Sequence, residues 1–180
     1  SDIEYVTIAS TGTAQDFGNF RVARGVPAGL SSPTRGVFGG GYSPTNWTDM
    51  EFVTIATLGS VQDFGELNNG GLFASNAASN PIRGLFFAGS PSNNQNIDMI
   101  NIASTGNAVR FGDMTISIGY RNCANSPTRA IAGGGQSGTP STTTIDMVEI
   151  ATEGDAVDFG DLRADQHLSG VSFSNAHGGL

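Results

Sequence analysis

The sequence predicts an all-β fold made of four repeated units, each a blade of four antiparallel strands set around an axis as a β-propeller. The first observation behind this is a phrase written four times. Ile3-Glu4-Tyr5-Val6-Thr7-Ile8-Ala9-Ser10 returns at residues 50–57, 97–104 and 145–152, and Ala9, Ala56, Ala103 and Ala151 stand 47, 47 and 48 residues apart. A fixed period of this size is the mark of a repeat architecture. The second observation is that each unit holds four short apolar segments punctuated by Gly, Pro, Asn and Ser. Four strands in roughly 45 residues is the size of a propeller blade, whereas the coils of a β-solenoid, the rival reading, usually run to about 20–30 residues.

Each element can be justified in turn. Residues 3–10 alternate large apolar and polar side chains, as a half-buried strand does. A turn at Thr11-Gly12 follows, matched by Gly59, Gly106 and Gly154, where positive φ is expected. A short strand comes next at 14–18, 61–65, 108–112 and 156–160. Its aromatic never changes, so Phe17, Phe64, Phe111 and Phe159 are expected in the core. A weaker strand lies near 28–31, 72–75, 120–124 and 168–173. Ser32-Pro33-Thr34-Arg35, Asn80-Pro81-Ile82-Arg83 and Ser126-Pro127-Thr128-Arg129 then turn into strands at 36–41, 84–89 and 130–135. Proline suits such a strand entry because it has no N–H to give a ladder.

This phase begins the chain at the third strand of a blade and stops it near the second. The blade segments fall at 21–65, 66–112, 113–160 and 161–180, the last completed by residues 1–20. The ring of this single domain is expected to close by pairing the N- and C-terminal strands, which removes two open sheet edges. A dimer closing eight blades, or a piece of a longer array, are the alternatives.

Composition narrows the function. The net charge is −8, with only 8 Lys and Arg. Such a surface argues against nucleic acid, whose phosphates need a basic footprint, and against anionic membranes. No apolar run approaches a membrane-spanning length, so no membrane insertion is expected. Cys123 is alone, which excludes an intrachain disulfide and suggests a small, semi-buried side chain.

At Arg35-Gly36-Val37-Phe38-Gly39-Gly40-Gly41 the pattern resembles a Kelch repeat. Gly40-Gly41 and Gly134-Gly135 match its diglycine, Ala88-Gly89 approximates it, and the four recurring phenylalanines stand near the usual Trp. The wording Ile-Ala-Ser-Thr-Gly, Asp-Phe-Gly and Ser-Pro-Thr-Arg-Gly is similar to Kelch-like repeat proteins of marine cyanobacterial phages, found in virions and tail fibres. The resemblance implies a virion location and a structural or binding role, and it supplies no catalytic residues.

The candidate residues fall into four groups. Arg35, Arg83 and Arg129 recur at strand entries and are read as structural, with Arg35 expected beside Asp16 and Arg83 beside Asp63. Arg129 would face Arg110, and His177 would face Asp158. The recurring carboxylates Glu4, Glu51, Asp98 and Asp146 are read as architectural, because equivalent positions are spread around a ring and do not converge on one acid–base pair. His167 and His177 lack a ligand constellation for zinc, and no cofactor is expected. Binding is expected in the loops between second and third strands, where the units differ most. There Tyr42 and Trp47 would stack on a sugar ring, and Asn46, Asn93, Asn94, Gln95 and Asn96 would bond its hydroxyls. The expectation is a non-enzymatic binding or structural module contacting a host surface glycan or another virion protein, with self-association allowed. A purely structural particle subunit, or a polysaccharide depolymerase, are the alternatives.

Overall fold

The computed structural model describes residues 1–68, 76–87, 89, 95–136 and 141–166. Among the described residues there are strands and no helix. The strands are β1 (Asp2–Tyr5), β2 (Gln15–Asn19), β3 (Ala28–Ser31), β4 (Arg35–Gly39), β5 (Asp49–Thr54), β6 (Gln62–Glu66) and β7 (Asn76–Ser79). They continue with β8 (Arg83–Phe87), β9 (Asn96–Asn101), β10 (Val109–Asp113), β11 (Asn122–Asn125), β12 (Arg129–Gly133), β13 (Thr142–Glu149) and β14 (Val157–Gln166). All pairing is antiparallel between chain neighbours, giving sheets β3–β6, β7–β10, β11–β14 and the two-stranded β1–β2. Three units thus show four strands each. The expected strand at 72–75 lies outside the described residues, and the first strand of the second unit is β7, four residues later than expected. The expected strand at 168–173, and the C-terminal partner of β1–β2, also lie outside the described residues. Before that point β14 runs on to Gln166 beside Thr142, whereas β6 and β10 stop at Glu66 and Asp113.

Two features of the repeat acquire a physical cause. The third strand of each unit is shorter than its alternation suggests: β1 ends at Tyr5, and residues 8–10 form a turn. The alternation continues because Ile102 and Ile150, in the equivalent turns, are fully buried in the two main cores. The second cause concerns Asp-Phe-Gly. The ladder between third and fourth strands skips Phe17, Phe64, Phe111 and Phe159, so each aromatic sits at a bulge. A bulge carries one residue more than the partner strand and re-aims its side chain. The glycine beside it has φ of 153° at Gly18, 144° at Gly65 and 140° at Gly160. That backbone favours glycine.

Cores lie between consecutive sheets. Leu30, Val37, Phe52 and Phe64 meet Phe86 and Ile102 between the first and second four-stranded sheets. Leu85, Phe87 and Phe111 meet Ala132, Val148 and Ile150 between the second and third. Phe17 joins Val53 and Val61, with Tyr5 and Phe38 packed against them, between β1–β2 and the first. Burying one such side chain is worth about 1.5–3 kcal/mol. At the opposite border, the first strands of neighbouring sheets lie side by side. Ser79 Oγ donates to Ser31 O at 2.8 Å, and Asn125 Nδ2 to Ser79 O at 2.6 Å.

The outer border of each sheet is stitched to the next by one repeated seam. Gly59 N–H donates to Phe17 O at 2.8 Å, Gly106 to Phe64 O at 2.7 Å and Gly154 to Phe111 O at 3.1 Å. Two residues on, Val61, Ala108 and Ala156 donate to Asn19, Glu66 and Asp113 carbonyls. The side chains of Ser60, Asn107 and Asp155 accept the N–H of those same three residues. A Cβ on Gly18, Gly65 or Gly112 would collide with the carbonyl of Gly59, Gly106 or Gly154. At Gly18 and Gly65 the glycine is therefore required twice, for its φ and for this close approach, and at Gly112 for the close approach.

Candidate functional site

The loop after β4 is built on a tight crossing of backbone. Gly40 and Gly41 have φ of 67° and 110°, and Gly134 and Gly135 repeat this at 65° and 112°. A Cβ on Gly41 would meet Gly25 O at 2.9 Å, so the diglycine lets the loop pass close beneath the connection leading into β3. Gly25 and Tyr42 exchange two backbone hydrogen bonds of 3.0 Å, and Tyr42 also bridges to Asn46. Val26, beside this crossing, holds φ of 49°, and Tyr120 in the third four-stranded sheet's connection holds 57°. Such a backbone costs of order 1–3 kcal/mol and persists only where its surroundings impose it.

Beneath the loop lies a buried ion pair. Arg24 Nη2 meets Glu51 Oε2 at 2.9 Å with both side chains almost wholly enclosed, and Arg21 Nε approaches Glu51 Oε1 at 3.6 Å. Burial pushes the Glu51 carboxyl above its usual range against the opposing pull of Arg24 and Arg21. Burial likewise lowers the Arg24 guanidinium below its usual value. Arg24 stacks 5.6 Å from Phe20 and 5.9 Å from Trp47. Above the pair opens a groove of about 430 Å³, lined by Ser1, Ala23, Arg24, Gly25, Tyr42, Ser43 and Pro44. Tyr42 stands in it, 49% exposed.

The candidate binding residues separate on this geometry. Tyr42 lines the groove. Trp47 is half-buried, and its indole N–H donates to Ser43 O at 2.9 Å while its backbone N–H donates to Gly41 O. Trp47 thus closes its own loop over Arg24. Asn46 sits at the bridge to Tyr42. Gln95 holds the connection after β10, donating to Thr115 O at 3.1 Å and accepting from Met114 N–H at 2.7 Å. Asn96 opens β9 opposite Asp113. Asn93 and Asn94 lie outside the described residues, as do His167 and His177.

The recurring charged residues are engaged in the architecture. Glu51, Asp98 and Asp146 are buried. Each carboxylate holds the connection entering its own sheet: Asp98 accepts Asn68 N–H at 2.9 Å, and Asp146 binds the Thr115 N–H and hydroxyl together with buried Arg121. Glu4, their counterpart in β1, is exposed. The arginine pairing expected with Asp16 and Asp63 is not what occurs. Arg35 crosses forward to donate to Ile102 O at 2.9 Å, with its guanidinium 4.5 Å from the Phe52 ring centre, and Arg83 donates to Ile150 O and Ala151 O. The strand entry abuts the following unit's turn, whose carbonyls point at it, while Asp63 is taken by Arg21 at 2.7 Å. Arg129 instead pairs with Glu149 of its own sheet, and Arg110 with Asp113. Phe17, Phe64 and Phe111 are buried as expected. Phe159 is not: it is 57% exposed, because among the described residues no turn covers its bulge.

Arg24 and Arg121 escape a reading based on register, since they occupy different places in connections of different sequence. The usable signal is the carboxylate inside an apolar strand segment, as in Met50-Glu51-Phe52, which calls for a buried partner. No protein-family model matches the chain, and no curated protein matches it.

Proposed function

We propose that the chain is a non-enzymatic recognition module, a Kelch-like β-propeller of a phage virion or tail fibre, that presents the Tyr42 groove to a host surface glycan. The antiparallel four-stranded units, packed face to face with their first strands adjacent, support the propeller reading. The observation that carries the binding reading is Tyr42: a half-exposed aromatic over a groove, on a loop fixed by paired glycines, a strained Val26 and a buried ion pair. An aromatic body with a polar tip on a rigid loop stacks on a sugar ring at little entropic cost. The recurring carboxylates support a non-enzymatic reading, since Glu51, Asp98 and Asp146 are each occupied in holding a connection.

Titration with soluble host-envelope polysaccharide tests the proposal. Saturable binding that weakens about five- to tenfold in Tyr42→Ala, the size of one stacking contact, supports it. Binding unaffected by that change, or release of oligosaccharide on incubation, refutes it. A purely structural role is the second reading, and the exposed bulge at Phe159 favours it: an unstitched seam suits a part that joins others.

A further inference from the structure

The seam that joins consecutive units is written four times in the chain but made three times among the described residues. Its receiving half is the bulge of one unit: the carbonyl of the Phe, the glycine that must lack a Cβ, and the backbone of the residue two further on. Its inserting half is the turn of the next unit: an isoleucine, then a glycine N–H, a polar side chain and a second N–H. Among the described residues both halves also exist unengaged. The receiving half is Phe159, Gly160 and Asp161 on β14. The inserting half is Ile8, Gly12, Thr13 and Ala14, between β1 and β2.

Several independent features mark these as open halves. A Cβ on Gly160 would meet nothing within 4 Å, whereas on Gly18, Gly65 and Gly112 it would strike the neighbouring turn. Phe159 is 57% exposed, although its three counterparts are buried. Ile8 is 98% exposed, whereas at the same register Ile102 and Ile150 are fully buried and Ile55, which has no arginine-bearing strand entry in the unit before it, is 48% exposed. Arg35 and Arg83 cross their seams to the carbonyls of those two isoleucines. Arg129, the next in the series, has Ile8 as its register counterpart, and it is exposed and turned to Glu149. The repeat therefore supplies Ile8 O for Arg129, Gly12 N–H for Phe159 O, Ala14 N–H for Asp161 O and the Thr13 hydroxyl for Asp161 N–H.

We infer that the β14 edge of one chain receives the Ile8–Ala14 turn of a second copy, forming a fourth seam between molecules. Among the described residues the two halves do not meet, and the turn that matches the open edge residue for residue is the chain's own, so the occupant is another copy. The contact is head-to-tail: it closes a ring of few chains if the rotation per unit permits, and otherwise extends as a filament. It also gives the structural reading a site.

Mass in solution, by sedimentation or light scattering across a concentration series, tests this on the chain itself. The expected result is concentration-dependent association that weakens at least tenfold in Ile8→Asp, since a buried isoleucine is lost and the variant position is open in the free chain. Gly160→Ala should weaken it comparably, and circular dichroism should show both variants folded. A monomer at every concentration overturns the inference, whether the ends close on themselves or stay open. Association unchanged by both variants overturns it as well.

Discussion

Asp146→Ala removes the acceptor at the centre of the third four-stranded sheet's connection and leaves Arg121 charged and enclosed. Asp146 takes the Arg121 Nη1, the Thr115 hydroxyl and, at 3.2 Å, the Thr115 N–H, while Arg121 Nη2 keeps only Thr144 O at 2.9 Å. Both side chains of the pair are almost wholly buried. Deleting one partner of such a pair typically costs about 3–5 kcal/mol, because the survivor remains desolvated without compensation. For a chain of this size that corresponds to a fall in Tm of roughly 6–20 °C. Replacing both groups by apolar ones, in Arg121→Met with Asp146→Leu, removes the stranded charge and should recover most of the loss. Recovery should stop short by about 1–3 kcal/mol, since the Thr115 N–H still lacks an acceptor. Urea and thermal unfolding followed by circular dichroism read both variants. A single variant within about 1 kcal/mol of the native chain, or a double variant no better than the single, would refute the assignment of this pair as the anchor of its loop.

Gly65→Ala should cost about 2–4 kcal/mol, combining collision with Gly106 O and an unfavourable φ, and urea titration measures it. Gly160→Ala retains only the φ term, so its monomer should lose far less in the same assay. Burial raises the Glu51 pKa above 4.5. In the window between the unfolded and folded values the native state then holds the extra proton, and stability falls as pH rises through it. Glu51→Gln abolishes that contribution, so the difference in stability between native and variant chains should shift in the variant's favour from low pH to neutrality. The Cys123 thiol is pushed up to about 12 by burial, leaving about one thiolate in 10⁵ at neutral pH. Labelling by a thiol reagent should accordingly be slow in the native chain and should accelerate with unfolding; immediate labelling would contradict its place against the second core.

The period made the unit legible because every unit must satisfy the same seam. Asp-Phe-Gly recurs since the bulge needs an aromatic aimed at the core and a glycine without a Cβ; its positions could be read before its geometry. The strand end after Tyr5 was less legible. Alternation reports burial without saying which sheet supplies the cover, and Ile102 and Ile150 are covered by a neighbouring unit. The arginines at strand entries were legible as structural positions, but their partners were backbone carbonyls, which carry no residue-type signal. Trp47 read as a binding platform because loop aromatics often are. Its indole N–H also holds Ser43 O and its ring lies against Arg24, contacts that a reading of residue types alone does not show. Tyr42 keeps half of its surface exposed while its backbone makes the crossing with Gly25.

The proposed propeller sets these units as blades around an axis. Negative-stain images of the chain at the concentration where it associates test it most directly. A propeller gives discs or rings with units evenly spaced about a centre. A straight rod lengthening by about 10 Å for each added sheet, the spacing of sheets stacked along a line, would contradict it.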